Sequence, residues 1–233
     1  MKIGGFLKQS LIDFPGKIAS VVFTAGCNLR CFYCHNPELV LPELIQDTQL
    51  ITENDVLNYF EKNKQLLDAV VITGGEPTIH VGLIEFIREI KRLGLLVKLD
   101  SNGTNPEILK ELLKDDLLDY VAMDIKSSLK LAKYKEIVGD QFSIVQLNSI
   151  LESIELITKS NIEFEFRSTL VKPYHSINDV QDMLDSIEGD YYLQEFNDSK
   201  TLNSSCENLK AFNRNEILED IDLSSNKTDI KFR

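Results

Sequence analysis

Three cysteines fall at Cys27, Cys31 and Cys34, the spacing Cys-x-x-x-Cys-x-x-Cys, directly after an apolar run and before His35-Asn36-Pro37. Three thiolates so placed can hold three irons of a cubane [4Fe-4S] cluster, leaving the fourth iron without a protein ligand and open to a small molecule. A structural zinc site is the competing reading. It wants four protein ligands in paired halves, and no second cysteine pair follows. The remaining cysteine, Cys206, stands alone in a polar tail and reads as a free thiol.

The chain has 233 residues, 43% of them hydrophobic, enough for one large core, and is read as a single domain over 1–233 with a core of about 18–200 and a tail of uncertain role at 201–233. Against 25 basic residues stand 37 acidic ones, a formal charge of −12 that opposes binding to nucleic acid or to an anionic membrane. No apolar stretch approaches the roughly 20 residues of a membrane span, and no basic start joins a long apolar run. The expectation is a soluble, cytoplasmic protein in a reducing compartment, where clustered cysteines serve metals rather than disulfides.

Strand patterns are read at 19–24, 69–73, 95–100, 119–124, 162–170 and 191–196. Helical patterns lie between them. Thr52 is read as an N-cap with Asp55 three later, Leu83, Ile84, Ile87 and Ile90 share one face, and Asn105 is read as a cap before Pro106. Ile108, Leu109, Leu112 and Leu113 continue that helix, and Ile150, Ile154 and Ile157 mark a later one. Such alternation implies parallel strands joined by right-handed crossovers, an α/β fold whose six units suggest a partial (β/α)6 TIM-like barrel. An open sheet is the alternative architecture.

Alternation within the later strands assigns their faces. Leu95, Val97 and Leu99, then Val121, Met123 and Ile125, then Ile162, Phe164 and Phe166 are expected outside against helices. Lys98, Asp100, Asp124, Lys126, Glu165, Arg167, Thr169 and Gln194 are then expected inside, which predicts a polar lumen with a polar ligand. Glu163 and Glu165 have a second reading, as residues facing water at the foot of the barrel. The cysteine loop, Thr73-Gly74-Gly75-Glu76-Pro77, Asp100-Ser101-Asn102-Gly103 and Asp124-Ile125-Lys126 all follow strand ends, so one mouth should collect the chemistry. His35, His80 and His175 are read as structural.

The stretch from Cys27 to Leu39 resembles the cluster motif of radical S-adenosylmethionine (SAM) enzymes, and within them the glycyl-radical-enzyme activases. Ser10-Leu11-Ile12-Asp13-Phe14-Pro15-Gly16-Lys17, Ala122-Met123-Asp124-Ile125-Lys126 and Phe166-Arg167-Ser168-Thr169 resemble the anaerobic ribonucleoside-triphosphate reductase activating proteins. The resemblance implies Cys27, Cys31 and Cys34 as cluster ligands, and SAM held by its amino and carboxylate groups on the open iron. It implies that Gly74 and Gly75 let the backbone approach the methionine moiety, that Glu76 supports their turn or faces the ammonium, and that Tyr33 packs against adenine. Asp100, Ser101 and Asn102 would supply polar contacts, and Asp124 and Lys126 an anion and a cation near SAM. Arg167 would pair with the SAM carboxylate, and Gln194 would meet the ribose or the glycyl peptide. The implied partners are a glycyl radical enzyme, the large subunit of anaerobic ribonucleotide reductase foremost, and a flavodoxin or ferredoxin as electron donor. Two alternatives keep the cofactors and change the target: a pyruvate formate-lyase type enzyme, or a small molecule as in 7-carboxy-7-deazaguanine synthesis.

Overall fold

A computed structural model describes residues 1–197, 201–202, 209–212, 214–222 and 228–232. Its strands are β1 (Ile3–Ser10), β2 (Ala19–Thr24), β3 (Ala69–Gly74), β4 (Leu96–Ser101), β5 (Tyr120–Asp124), β6 (Glu163–Lys172), β7 (Gly189–Glu195), β8 (Lys210–Ala211) and β9 (Thr228–Phe232). The helices are α1 (Pro42–Asp47), α2 (Glu53–Asn63), α3 (Leu83–Arg92), α4 (Pro106–Lys114), α5 (Leu131–Val138), α6 (Ile144–Thr158), α7 (Ile177–Asp185) and α8 (Arg214–Asp220). Cys206 lies outside the described residues. No helix among them is long and apolar enough to cross a membrane.

The six expected strands appear as β2 to β7, parallel and in sequence order. Two further strands extend the sheet: β1 pairs antiparallel with β2, and β9 pairs parallel with β7. Among the described strands β1 and β9 do not pair with each other, so the barrel is partial. The tail, of uncertain role in the sequence, supplies α8, β9 and the short β8 that pairs with the end of β6.

Local chemistry explains the crossovers. The Thr52 hydroxyl accepts from the Asp55 N–H at 3.1 Å and starts α2 as expected. Asn105 holds the cap position of α4 but makes no capping bond; its Nδ2 instead donates to Thr78 Oγ1 at 2.9 Å, tying the loops after β3 and β4 together. Ser143 and Gln146 form a capping box at α6, and Ser176 and Asp179 form one at α7.

The apolar sides of α3, α4 and α6 bury Phe86, Ile87, Ile90, Leu109, Leu112, Ile150 and Ile157 against Val70, Ile72, Val97, Leu99, Val121 and Met123 of the sheet. Each such side chain contributes about 1.5–3 kcal/mol. On the inner face the lumen is polar only in part. Ala19, Val21, Ala69, Val71, Tyr120 and Ala122 line its lower half, and Phe14 fills the foot with its ring 5.6 Å from that of Tyr120. The segment around Phe14 thus has a structural purpose: it stoppers the barrel, and its Asp13 carbonyl accepts from Lys98 Nζ at 2.8 Å.

Asp179 predicts an acid response of the fold. Burial alone would raise its carboxyl, but hydrogen bonds from Ser176 and the Lys133 ammonium outweigh that and hold it at about 2. A depressed carboxylate stabilises the fold above its unfolded value of about 3.9 and stops doing so as pH falls through about 2. Stability should therefore drop by about 1–2 kcal/mol between those limits, with screening of the Lys133 pair allowed for. Denaturant midpoints against pH check this, and Asp179→Asn should flatten that part of the curve.

Candidate active site

The cysteine loop leaves β2 and is held by main-chain bonds on several sides. Gly26 N–H donates to Leu39 O at 2.8 Å, and Arg30 N–H and Phe32 N–H donate to Val138 O and Ile137 O at 3.2 and 3.1 Å. Those two carbonyls end α5, where no helical N–H remains to meet them. Arg30 Nη1 donates to Cys27 O at 2.7 Å and Leu29 O at 2.9 Å, and Leu202 N–H from the tail donates to Cys34 O at 2.9 Å.

The end of β3 braces the loop from below. Gly75 N–H donates to Thr24 O at 2.9 Å and Glu76 N–H to Gly26 O at 2.8 Å. A Cβ on Gly74, where φ is +112°, would lie 2.4 Å from Thr24 N, and one on Gly75 would lie 2.0 Å from Gly26 O. Both glycines line the cavity, and contact with the β2 backbone and the cysteine loop by itself leaves no room for a side chain at either.

Glu76 is 1% exposed and joins two loops. Its Oε1 accepts from Thr78 N–H (3.0 Å), Thr78 Oγ1 (2.6 Å) and Ser101 Oγ (2.9 Å), and its Oε2 accepts from Asn102 N–H (2.7 Å). Burial pushes this carboxyl up while the four donors pull it down. It supports the turn, as one of the two expected roles had it. Asn102 Nδ2 donates to Asn28 Oδ1 at 3.0 Å and Asn28 Nδ2 to Thr104 Oγ1 at 2.7 Å, so the β4 loop grips the cysteine loop through amides.

Inside the barrel the charges alternate. Lys98 Nζ lies 3.0 Å from Asp100 Oδ1, Arg167 Nη1 3.2 Å from Asp100 Oδ2, Arg167 Nε 2.8 Å from Asp124 Oδ1, and Lys126 Nζ 3.0 Å from Asp124 Oδ2. Glu165, expected either in the lumen or in water, is fully buried, accepts from Tyr120 Oη at 3.0 Å and lies 4.0 Å from Arg167; Glu163 is exposed. Burial would raise Asp124, but Arg167 and Lys126 outweigh it and hold the carboxyl at about 2, and Asp100 is lowered likewise by Arg167 and Lys98. Lys126 is correspondingly raised, Asp124 outweighing burial.

A cavity of about 220 Å³ opens at the mouth. It is lined by all three cysteines and by Tyr33, Gly74, Gly75, Glu76, Asp100, Ser101, Asn102, Asp124 and Lys126. Two expected contacts lie elsewhere. Arg167 is not part of the lining, and its guanidinium is engaged by Asp100 and Asp124. Gln194 shares the inward face, opposite Thr169, but only Thr169 reaches the lining. Tyr33 is buried, with edge contacts to Phe32 and Phe196, and its hydroxyl has no hydrogen-bond partner among the described residues. His35, read as structural, also lines the cavity and faces the Phe196 ring.

The thiols suit a cluster. Burial pushes Cys27 up to about 12 and Cys31 up to about 11, and raises Cys34, so they stay protonated until a bound cation displaces the proton. Leu29 N–H points to Cys27 Sγ at 3.4 Å, and the Asn36 N–H serves Cys34 in the same way. Among the described residues no three His, Cys, Asp or Glu side chains are arranged around a single metal ion. The sequence pattern of the Radical SAM superfamily matches residues 21–187.

The chain belongs to the radical SAM superfamily.

It is therefore a radical SAM oxidoreductase, with a [4Fe-4S] cluster and SAM as its cofactors. The chain is 34% identical over 225 residues to MJ1227 of Methanocaldococcus jannaschii, to which the role of a glycyl-radical enzyme activating enzyme is ascribed; the match covers 93% of this chain and 89% of that one. The pyruvate formate-lyase-activating enzyme of Listeria monocytogenes is 36% identical over 131 residues, 49% of each chain. Among solved structures, Streptococcus suis SuiB bound to S-adenosylmethionine superposes with a TM-score of 0.64 at 16% identity, over 91% of this chain and 49% of that one, a likeness of fold. In this radical SAM site sequence reasoning passed over Asn28, Thr104 and Thr78. They are polar loop residues without periodicity, and only their proximity in space marks them.

Proposed function

We propose that this radical SAM enzyme is a glycyl-radical-enzyme activase and that its partner is the anaerobic ribonucleoside-triphosphate reductase. The observation that carries the first part is the match to MJ1227 across nearly the whole of both chains, which leaves little of either outside the shared fold. The second part rests on the motifs around Phe14, Asp124 and Arg167 and on a sheet whose two edge strands, β1 and β9, do not pair with each other among the described residues, which is compatible with entry of a peptide loop. When bound, the cluster and SAM supply one-electron cleavage of the sulfonium and removal of a hydrogen atom by the released 5′-deoxyadenosyl group.

The chain's own residues bind and orient. Cys27, Cys31 and Cys34, all in the cavity lining, would hold the cluster. Lys126 presents an ammonium suited to the SAM carboxylate, and Asp100 and Asp124 present anions suited to its ammonium. The Tyr33 hydroxyl, without a partner among the described residues, is available to the bound ligand, while Leu29 and Val40 give apolar lining that excludes water. One electron must come from outside, and a flavodoxin or ferredoxin is the proposed donor.

Anaerobic incubation of the reconstituted enzyme with SAM, a reductant and the reductase large subunit should give a doublet glycyl-radical signal on the partner. Parallel incubation with pyruvate formate-lyase tests the second reading, which the Listeria relative favours. Uncoupled 5′-deoxyadenosine with every glycyl-radical enzyme tried would remove the activase assignment. Zinc without acid-labile sulfide in protein purified without air would remove the cluster itself.

A further inference from the structure

We propose that His175 is a positioning residue for Lys126, fixing the peptide on which the cavity's ammonium is mounted. His175 lies in the turn between β6 and α7, 2% exposed and away from the cavity lining. Its Nδ1 accepts from Val171 N–H at 3.0 Å, which leaves the proton on Nε2, and Nε2 lies 2.9 Å from Lys126 O. A carbonyl can only accept, so the neutral Nε2–H tautomer satisfies these two contacts, the shortest the ring makes; Nδ1 also lies 3.3 Å from Val171 O, a longer approach than its 3.0 Å bond from Val171 N–H. Burial lowers the imidazole's pKa, in keeping with that neutral form.

The other side of the same residue is held as well. Lys126 N–H donates to Tyr134 Oη at 3.2 Å, and the fully buried Tyr134 ring stacks on Phe142 at 5.1 Å. Lys126 is thus clamped through both its N–H and its C=O, just beyond the end of β5 where ladder bonds have stopped. A second, separate tether joins the same two turns: Ser128 Oγ donates to Asp179 Oδ1 at 3.1 Å. Because Lys126 Nζ reaches Asp124 Oδ2 at 3.0 Å, a shift of the Lys126 backbone would misplace the ammonium relative to the cavity and the cysteine loop.

The proposal rests on Lys126 facing SAM, but it does not depend on which protein is activated, since SAM cleavage without a partner reads it out. In the protein without cluster, nitrogen NMR of the imidazole should show the neutral Nε2–H tautomer; an Nδ1–H tautomer overturns the proposal. Hydrogen exchange of the amides at 126–128 should speed up about tenfold in His175→Leu, the loss of one buried hydrogen bond, and remain near wild type in His175→Gln, which keeps a donor. With cluster bound, His175→Leu should raise the KM for SAM about tenfold at unchanged iron content, with recovery in His175→Gln. Ser128→Ala should lower thermal stability without moving that KM. Unchanged exchange in His175→Leu, no recovery in His175→Gln, or an equal rise of KM in Ser128→Ala would each show packing alone. Should the wild type cleave no SAM, the exchange and NMR results still decide the clamp, and only the reading of Lys126 is lost.

Discussion

Gly75→Ala should leave a protein that no longer takes up its cluster. The added methyl would stand 2.0 Å from Gly26 O and 2.7 Å from Gly26 C, and both are backbone atoms that no rotamer change can move aside. Gly26 immediately precedes Cys27, so relief of the clash must pull the β3 end away from the cysteine loop. That separation would cost the bonds from Gly75 N–H to Thr24 O and from Glu76 N–H to Gly26 O. The expected loss is about 3 kcal/mol or more in stability, overpacking and lost buried hydrogen bonds combined. Iron and acid-labile sulfide per chain after anaerobic reconstitution should fall to a small fraction of wild type. Gly94→Ala is the control: its φ is +81° with nothing within 4 Å of the new Cβ, so it should cost about 1–2 kcal/mol from backbone strain alone and leave iron content intact. Full iron in Gly75→Ala would show that the loop is held by something other than this contact.

The legible parts of this chain are those written in a period. Strands β2 to β7 alternate with helices whose apolar faces recur at helical spacing, and the parity of Lys98, Asp100, Asp124 and Arg167 put them inside the barrel because their neighbours must meet the helices. What was not legible depended on distance across the fold. Arg167 is inward, as its parity required, but two carboxylates claim it, and only their positions on the adjacent strands β4 and β5 reveal that. The lower lumen is apolar because β2 and β3 contribute Ala19, Val21, Ala69 and Val71, and the alternation was read only on the later strands. β1 was missed because Gly4 and Gly5 hide its pattern; a Cβ on Gly4 would meet the tip of the Leu39 side chain at 2.6 Å, which would have to shift. His175 carries no motif at all, and its place beside Lys126 is set by a turn 49 residues further along the chain.

Arg167→Met should be the most destabilising substitution in the lumen that removes no cluster ligand. Arg167 is 13% exposed, its Nε and Nη1 divide between Asp124 and Asp100, and it lies 4.0 Å from the buried Glu165. Without the guanidinium, three carboxylates share the two ammonium groups of Lys98 and Lys126. Leaving buried charge uncompensated costs about 3–5 kcal/mol. The pH response should change as well. Asp124 is held at about 2 because Arg167 and Lys126 outweigh burial; with Arg167 gone, burial gains and the carboxyl must rise. The stability that an ionised Asp124 contributes would then be lost at a higher pH as acid is added, moving the acid limb of the denaturation curve upward. Arg167→Lys should recover only part of the loss, because one ammonium cannot span two strands as the planar fork does. Adding Asp124→Asn to Arg167→Met should restore stability relative to the single variant, since it returns the array to two carboxylates against two ammonium groups. Strict additivity of the two substitutions would mean the pair does not act as a unit, and the alternating array would then be a coincidence of burial and not what keeps Asp124 charged at the floor of the cavity.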